Sequence, residues 1–304
     1  MNLTTWVITI FPEKRKAKNK LNTANIDHII SHSAYQDLYI YYLEGSLKRE
    51  EESHLGLTFL GNWAEEESSF LFFTKPSKDL VQRIIDKDKR LRLIDEFHFT
   101  YEEWIGGKVI PHKVSRFLIV PPWEDRQQGD GELKMLLNPG VVFGTSLHAT
   151  TRDSLLALLE ISDKVPFYRV LDLGTGTGIL AIGAALLGAG KIVAIDNNPL
   201  AVKTAALNVK LNGLEEHIEV REALAEDIID TPSDLLIANI HYDIIRKLIK
   251  GVGFLKKQYF ILSGLMRSQA RNIRLELARY PVEIIHEWDN DMVWRTILGR
   301  VKGF

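Results

Sequence analysis

Hydrophobic and polar positions follow different rules in the two parts of the chain. Over the first 120 residues the apolar runs are short and irregularly spaced. Trp6–Phe11, Tyr35–Leu43 and Phe70–Phe73 are rich in aromatic and branched residues and read as strands. Lys78–Ile94 places Leu80, Val81, Ile84, Ile85, Leu91 and Leu93 at the spacing of an amphipathic helix. Phe117–Val120 is another strand, closed by Pro121 and Pro122, and the polar stretch Glu124–Glu132 reads as a surface loop. This part predicts a small α+β unit.

From about residue 133 the pattern becomes regular. Strand-like runs at Val170–Leu173, Lys191–Ile195, Ile218–Val220, Leu235–Ile240 and Tyr259–Leu262 alternate with helical segments at Ile179–Leu187, Pro199–Leu211 and Ser268–Arg279. The second helix carries its own punctuation: Asn198 to cap it, Pro199 in its first turn, Gly213 to end it. Such alternation demands crossover connections, and so an α/β fold with a mostly parallel sheet covered by helices on both faces. Val282–Trp288 and Val293–Gly299 lie too close for a helix between them, which predicts an antiparallel pair at one edge.

Length and composition narrow the picture. At roughly 100–200 residues per domain, 304 residues make about two domains. The boundary expected from the pattern is residues 1–96 for the small unit and 97–304 for the α/β domain, with 97–132 as a connecting region. With 45% hydrophobic and 26% charged residues the chain can bury an ordinary core. The absence of cysteine removes disulfides, thiolate metal sites and a cysteine nucleophile. Lys+Arg 38 against Asp+Glu 40 gives a formal charge of −2, so no whole-protein basic field serves nucleic acid. The basic run Lys14–Lys20 reads as a solvated turn. It follows the apolar stretch of the N-terminus, the reverse of a secretory leader, and no run approaches the ~20 residues of a membrane span. The expectation is a cytoplasmic protein without membrane association or direct nucleic-acid binding.

The chemistry concentrates at Val170-Leu171-Asp172-Leu173-Gly174-Thr175-Gly176-Thr177-Gly178, a buried strand feeding a glycine loop that opens a helix. The spacing is G-x-G-x-G. The dinucleotide pattern G-x-G-x-x-G fails at Ile179, and no Gly-Lys-Ser/Thr follows. The loop suits a nucleoside ligand without a pyrophosphate. Asp196, about 20 residues on, closes the next strand and can accept from both hydroxyls of a ribose. The structural alternative is that it caps the helix begun by Pro199, a task that Asn197 or Asn198 can also perform. Together these residues resemble the class I methyltransferases, which use S-adenosylmethionine. The resemblance implies that Asp172 lies near the methionine amino end of that cofactor, with Gly174, Thr175, Gly176 and Gly178 forming the loop beneath it, Asn197 beside Asp196, and Asn239, at the end of the fourth sheet strand, facing the methyl group.

A closer resemblance starts at Asn138-Pro139-Gly140-Val141-Val142-Phe143-Gly144-Thr145-Ser146-Leu147-His148-Ala149-Thr150-Thr151, which is similar to the DPGLAFGTGTHPTT segment of the PrmA family. That family methylates a ribosomal protein, the eleventh of the large subunit. Trp104, Phe117–Trp123, Leu180–Ile182, Ala238-Asn239-Ile240, Ser263-Gly264-Leu265 and Trp294–Arg300 match in order, so the resemblance covers roughly residues 100–301. It implies cofactor contacts at Thr151, Gly174, Asp196 and Asn239. Thr150 also begins a Thr-x-x-Asp pattern with Asp153, which reads as a capping box, and a helix start there offers free N–H groups to the cofactor's carboxylate. Phe143 either packs on the cofactor or belongs to the core.

Two departures from the family fall where substrate should be read. Its Gly-Thr-His-Pro becomes Ser146-Leu147-His148-Ala149, and its Asn-Ile-Leu-Ala becomes Asn239-Ile240-His241-Tyr242, which echoes the Asn-Pro-Pro-Tyr motif of amino- and amide-methylating relatives, with Tyr242 at the aromatic position. Asn239, His148 and Tyr242 are the catalytic candidates, with His241 and Asp243 as further proton acceptors and Trp294 as a pocket wall. The resemblance implies an S-adenosylmethionine-dependent methyltransferase acting on lysine or N-terminal amines of a large-subunit ribosomal protein or a similar protein, with residues 1–96 recognising the substrate and no metal required. The alternatives are methylation of RNA or a small molecule, and a non-catalytic cofactor-binding protein.

Overall fold

The computed structural model describes residues 36–65, 67–289 and 292–303. The expected strand Trp6–Phe11 and the basic run Lys14–Lys20 lie outside them. The chain divides into two compact units, one ending at Val109 and the other starting at Ile110.

In the first unit, β1 (Asp37–Glu44), β2 (Phe59–Glu65), β3 (Ser68–Phe73) and β4 (Arg92–Thr100) form an antiparallel sheet of order β2-β3-β1-β4. Short helices α1 (Arg49–Glu52) and α3 (Tyr101–Ile105) flank α2 (Lys78–Lys87), which buries Val81 and Ile84 against Tyr41, Leu43, Leu71 and Phe73. The helix expected over Lys78–Ile94 therefore stops early. Its C-cap Asp88 is extended (φ −117°, ψ 99°), Leu91 is buried in the following turn, and Leu93 pairs with Leu43 in β4. β4 also runs through position 96, which is why the division falls after Val109 and not at 96/97.

The second unit begins with a small sheet of β5 (His112–Val114), β6 (Phe117–Val120) and β7 (Leu133–Leu136). Its main sheet has the order β10-β9-β8-β11-β12-β14-β13, built from β8 (Arg169–Leu173), β9 (Lys191–Asp196), β10 (Ile218–Glu222), β11 (Leu235–Asn239), β12 (Tyr259–Met266), β13 (Val282–Trp288) and β14 (Trp294–Val301). The first five are parallel, β14 runs antiparallel to β12, and β13 pairs antiparallel with β14 at the edge. Helices α4 (Ala149–Ser162), α5 (Ile179–Leu186), α6 (Pro199–Leu211), α7 (Ala225–Ile228), α8 (Tyr242–Leu248) and α9 (Arg267–Leu277) connect these strands. Two cores result. One lies under α4 and α5, with Leu155, Leu158, Ile179, Ile182, Ile192 and Ile237; the other lies on the opposite face, with Leu171, Leu236, Ile245, Phe260 and Ile273. β8, β9 and β11 are buried on both faces, and so they read as unbroken apolar runs. α9 shows the complementary case: Ala270, Ile273 and Leu277 face the core, and the other positions are mostly polar or charged, with Leu275 exposed.

The sheet order reverses between β8 and β11. Successive strands run outward from β8 through β9 to β10, and in the other direction from β11 to β12. The crevice beyond the carboxyl ends of β8 and β11 is where open α/β sheets bind ligands.

Candidate functional site

Three polar side chains close the strands around that crevice: Asp172 in β8, Asp196 at the end of β9 and Asn239 at the end of β11. The glycine loop follows β8, and α5 starts after Gly178. Gly174 and Gly176 hold φ of +70° and +56°. A Cβ on the first would run into Ile240, and on the second into the Phe143 carbonyl. The glycines are thus required by close chain approach at left-handed backbone positions. Thr175 N–H donates to the Ile195 carbonyl at 2.8 Å, which ties the loop to β9.

Asp172 is 1% exposed. Its Oδ2 accepts the Thr175 hydroxyl at 2.6 Å, and its Oδ1 has no partner. Burial pushes its pKa up to about 7; the Thr175 hydroxyl opposes this and the nearby Asp196 adds to it. Asp196, also buried, is better satisfied. Its Oδ2 accepts from the Gly176 N–H at 3.0 Å and its Oδ1 from the Asn198 N–H at 2.9 Å. Burial raises its pKa, against the pull of those amides. The Asn197 N–H adds to that pull, and a carboxylate with about four acceptor sites still keeps capacity for a further donor. The helix α6 is capped by Asn198, whose Oδ1 accepts the Leu200 N–H at 2.9 Å, so capping does not account for Asp196. Asn197 beside it is exposed.

Asn239 meets α4 across the crevice: its Nδ2 donates to Thr151 Oγ1 at 3.4 Å. Thr150 and Thr151 are buried in the first turn of α4, but the cap is His148 and not Thr150. His148 Nδ1 accepts the Thr150 N–H at 3.4 Å and lies 2.8 Å from Thr150 Oγ1. The expected Thr150–Asp153 box is therefore displaced by two residues, because an imidazole can cap as a short polar side chain does. His241 caps α8 in the same manner, accepting the Asp243 N–H at 3.4 Å. A neutral imidazole that accepts at Nδ1 carries its proton on Nε2, so both histidines are committed to caps. The His148 ring packs edge-on against Trp294, with centroids 5.4 Å apart. Tyr242 turns its hydroxyl to Asn272 of α9, at 3.4 Å, and its ring lies under Arg246. Phe143 is 40% exposed, and its carbonyl accepts the Thr177 N–H at 3.1 Å.

Several residues support this arrangement in ways the sequence does not announce. Ser263 Oγ reaches the Thr150 carbonyl at 3.2 Å and Thr296 Oγ1 at 2.6 Å, so a buried hydroxyl pair ties β12 and β14 to the first turn of α4. Asn208, fully buried on α6, accepts from Asn138 N–H at 2.8 Å and donates to the Asn138 and Thr177 carbonyls at 2.9 and 2.8 Å. Asn212, one turn later, brackets Leu136 in the same way. A signal was present, since Thr204, Asn208 and the C-cap Asn212 are polar at intervals of four, apart from the exposed Lys203 and Lys210. Among the described residues no cluster of three or more His, Asp or Glu could hold a metal ion, and no helix is long and apolar enough to cross a membrane.

Residues 83–302 match the family described as "Ribosomal protein L11 methyltransferase (PrmA)". The ribosomal protein L11 methyltransferase of Alkaliphilus metalliredigens (strain QYMF) is 34% identical over 194 residues, which covers 63% of this chain and 60% of that protein. Its namesake from Desulfitobacterium hafniense is 37% identical over 194 residues, 62% and 61% of the two chains. The match therefore spans about three-fifths of these relatives' length. Among solved structures, a ribosomal protein L11 methylase from Lactobacillus delbrueckii subsp. bulgaricus superposes with a TM-score of 0.55 at 29% identity, over 64% of this chain and 100% of that one.

Proposed function

The chain belongs to the ribosomal protein L11 methyltransferase (PrmA) family, and from that membership we propose that it transfers methyl groups from S-adenosylmethionine to amine nitrogens of a large-subunit ribosomal protein. The observation that carries this reading is the pair of incompletely satisfied carboxylates, Asp172 and Asp196, at adjoining strand ends. Asp172 Oδ1 is a buried acceptor with no partner, and its pKa is set by burial, hydrogen bonds and another acid, with no cation among the causes. A ligand ammonium group fits that need. The acceptor capacity left on Asp196, a carboxylate at a strand end beside the glycine loop, fits a ribose hydroxyl donor. Thr151, at the start of α4, stands near the partial positive charge of a helix N-terminus, which favours a carboxylate.

S-adenosylmethionine, when bound, supplies a methyl group activated by its sulfonium. The chain's own work is to align the acceptor and exclude water. A lysine amine of ordinary pKa ~10.4 must lose a proton before it can attack, at a cost of about 4–5 kcal/mol at neutral pH, and desolvation lowers that cost. Because Asn239 Nδ2 points to Thr151, its Oδ1 is the atom left to accept from such an amine. An amine so oriented would present its lone pair to the methyl group that S-adenosylmethionine would supply, and its surplus proton would leave to solvent, since His148 and His241 are engaged as caps. His148 and Trp294, packed edge to face, wall the acceptor side. We assign acceptor recognition to the first unit, and a ribosomal substrate implies a cytoplasmic location.

Incubating the chain with methyl-labelled S-adenosylmethionine and total large-subunit ribosomal proteins, then mapping the label by mass spectrometry, tests this function. Label on an amine of one ribosomal protein is expected. Label on RNA alone, or none at all, contradicts it.

A further inference from the structure

β12 leaves regular pairing beside the Asn239 carboxamide. Its register with β14 shifts between Leu262 and Leu265, and Gly264 within that irregularity has φ +80°. Ser263, one residue earlier, lies in register with Asn239 of β11. A Cβ on Gly264 would stand 2.8 Å from the Ile240 carbonyl oxygen and 3.3 Å from Asn239 Oδ1. Two acceptor oxygens, one main-chain and one side-chain, thus converge on the space that any other residue would fill.

The two oxygens differ in how readily they give way. Ile240 is braced from the other side, where its Cγ2 occupies the volume that a Cβ on Gly174 would need. The orientation of Asn239 is held by its bond to Thr151. That bond is long and made by a side chain, so an atom added at Gly264 displaces the carboxamide sooner than the braced main chain.

We infer that Gly264 is a specificity-determining residue for methyl transfer: its missing side chain keeps Asn239 Oδ1 and the Ile240 carbonyl open side by side, to a nitrogen with two protons to donate. This rests on the methyl-transfer reading above. It also narrows the acceptor class, because a hydroxyl acceptor has one proton to give and leaves one of the two oxygens unpaired.

The test compares Gly264→Ala with the parent chain, each with and without Asn239→Ala. Three quantities are read: the initial rate of methyl transfer to total large-subunit ribosomal proteins at saturating S-adenosylmethionine, the affinity for S-adenosylhomocysteine by calorimetry, and the melting temperature. Gly264→Ala is expected to lower the rate about 100-fold, the size of effect a misplaced reacting group has. Its S-adenosylhomocysteine affinity should stay within about threefold of the parent's, and in the Asn239→Ala background it should cost less than about threefold more, as expected when two changes act on one contact. An unchanged rate, a full additional loss in the Asn239→Ala background, or a fall in melting temperature together with lost S-adenosylhomocysteine affinity overturns the inference; the last outcome assigns Gly264 to the fold. A parent chain that moves no methyl group fails at the earlier step and removes the reading on which the inference stands.

Discussion

Replacing Asp172 by asparagine, an isosteric change that removes one ionisation, should alter the pH dependence of stability in a predictable sense. The Asp172 carboxyl is 1% exposed, one of its oxygens has no partner, and burial raises its pKa from 3.8 to about 7. Between those values the folded chain holds a proton that the unfolded chain has released. Stability is then fully present below about pH 4 and is lost as pH rises through about 7. At about 1.4 kcal/mol per pKa unit the loss is on the order of 4 kcal/mol. In a unit of this size that corresponds to a difference of roughly 10 °C in melting temperature. Asp172→Asn keeps an acceptor for the Thr175 hydroxyl and does not titrate. It also removes a negative charge near Asp196, which acts in the same direction. Thermal melts of parent and variant without ligand, from pH 4 to pH 8, should nearly coincide at the acid end and diverge upward, with the variant more stable at pH 8. Saturating S-adenosylhomocysteine should then stabilise the parent more than the variant, because its ammonium group supplies the partner Oδ1 lacks. Parallel curves across the whole range would refute the reasoning.

Two further outcomes follow from the same geometry. Asn239→Ala should reduce the rate of methyl transfer about 100-fold while changing S-adenosylhomocysteine affinity little, read by steady-state kinetics beside calorimetry; equal losses in both would make Asn239 a cofactor ligand only. Asn208→Ala strands the Asn138 N–H and the Asn138 and Thr177 carbonyls, and at about 1–3 kcal/mol for a buried unpaired group it should lower the unfolding free energy by about 3 kcal/mol in urea titration; a change below about 1 kcal/mol would show that water replaces these bonds.

The sequence was most legible where local signals and burial agree. Pro199–Leu211 has its cap, its first-turn proline and its terminator in the chain text, and α6 has those bounds. β8, β9 and β11 are buried on both faces and stand out as apolar runs, so the three strand ends that hold Asp172, Asp196 and Asn239 could be read directly. The small unit was less legible. Leu91 and Leu93 satisfy a helical spacing that the chain does not use, because pairing with β1 claims Arg92–Thr100 as a strand. β2 carries Gly61, Asn62 and Glu65, and no strand pattern survives them. β5 and β7, at three and four residues, are too short for periodicity to show. The long-range ties had no local trace: Asn208 reaches back 70 residues to Asn138, and the link from Ser263 to the Thr150 carbonyl spans 113. His148 as a cap was missed because the threonines after it fit the familiar pattern better.

The central claim is that the crevice at the ends of β8, β9 and β11 binds an S-adenosyl nucleoside through Asp196. Calorimetric titration of S-adenosylhomocysteine into the parent chain and into Asp196→Ala, with melting temperatures recorded for both, tests it most directly. The account predicts one saturable site in the parent, no measurable binding in the variant and a fold retained in both. Equal affinity in the two, or no binding to a folded parent, would contradict it.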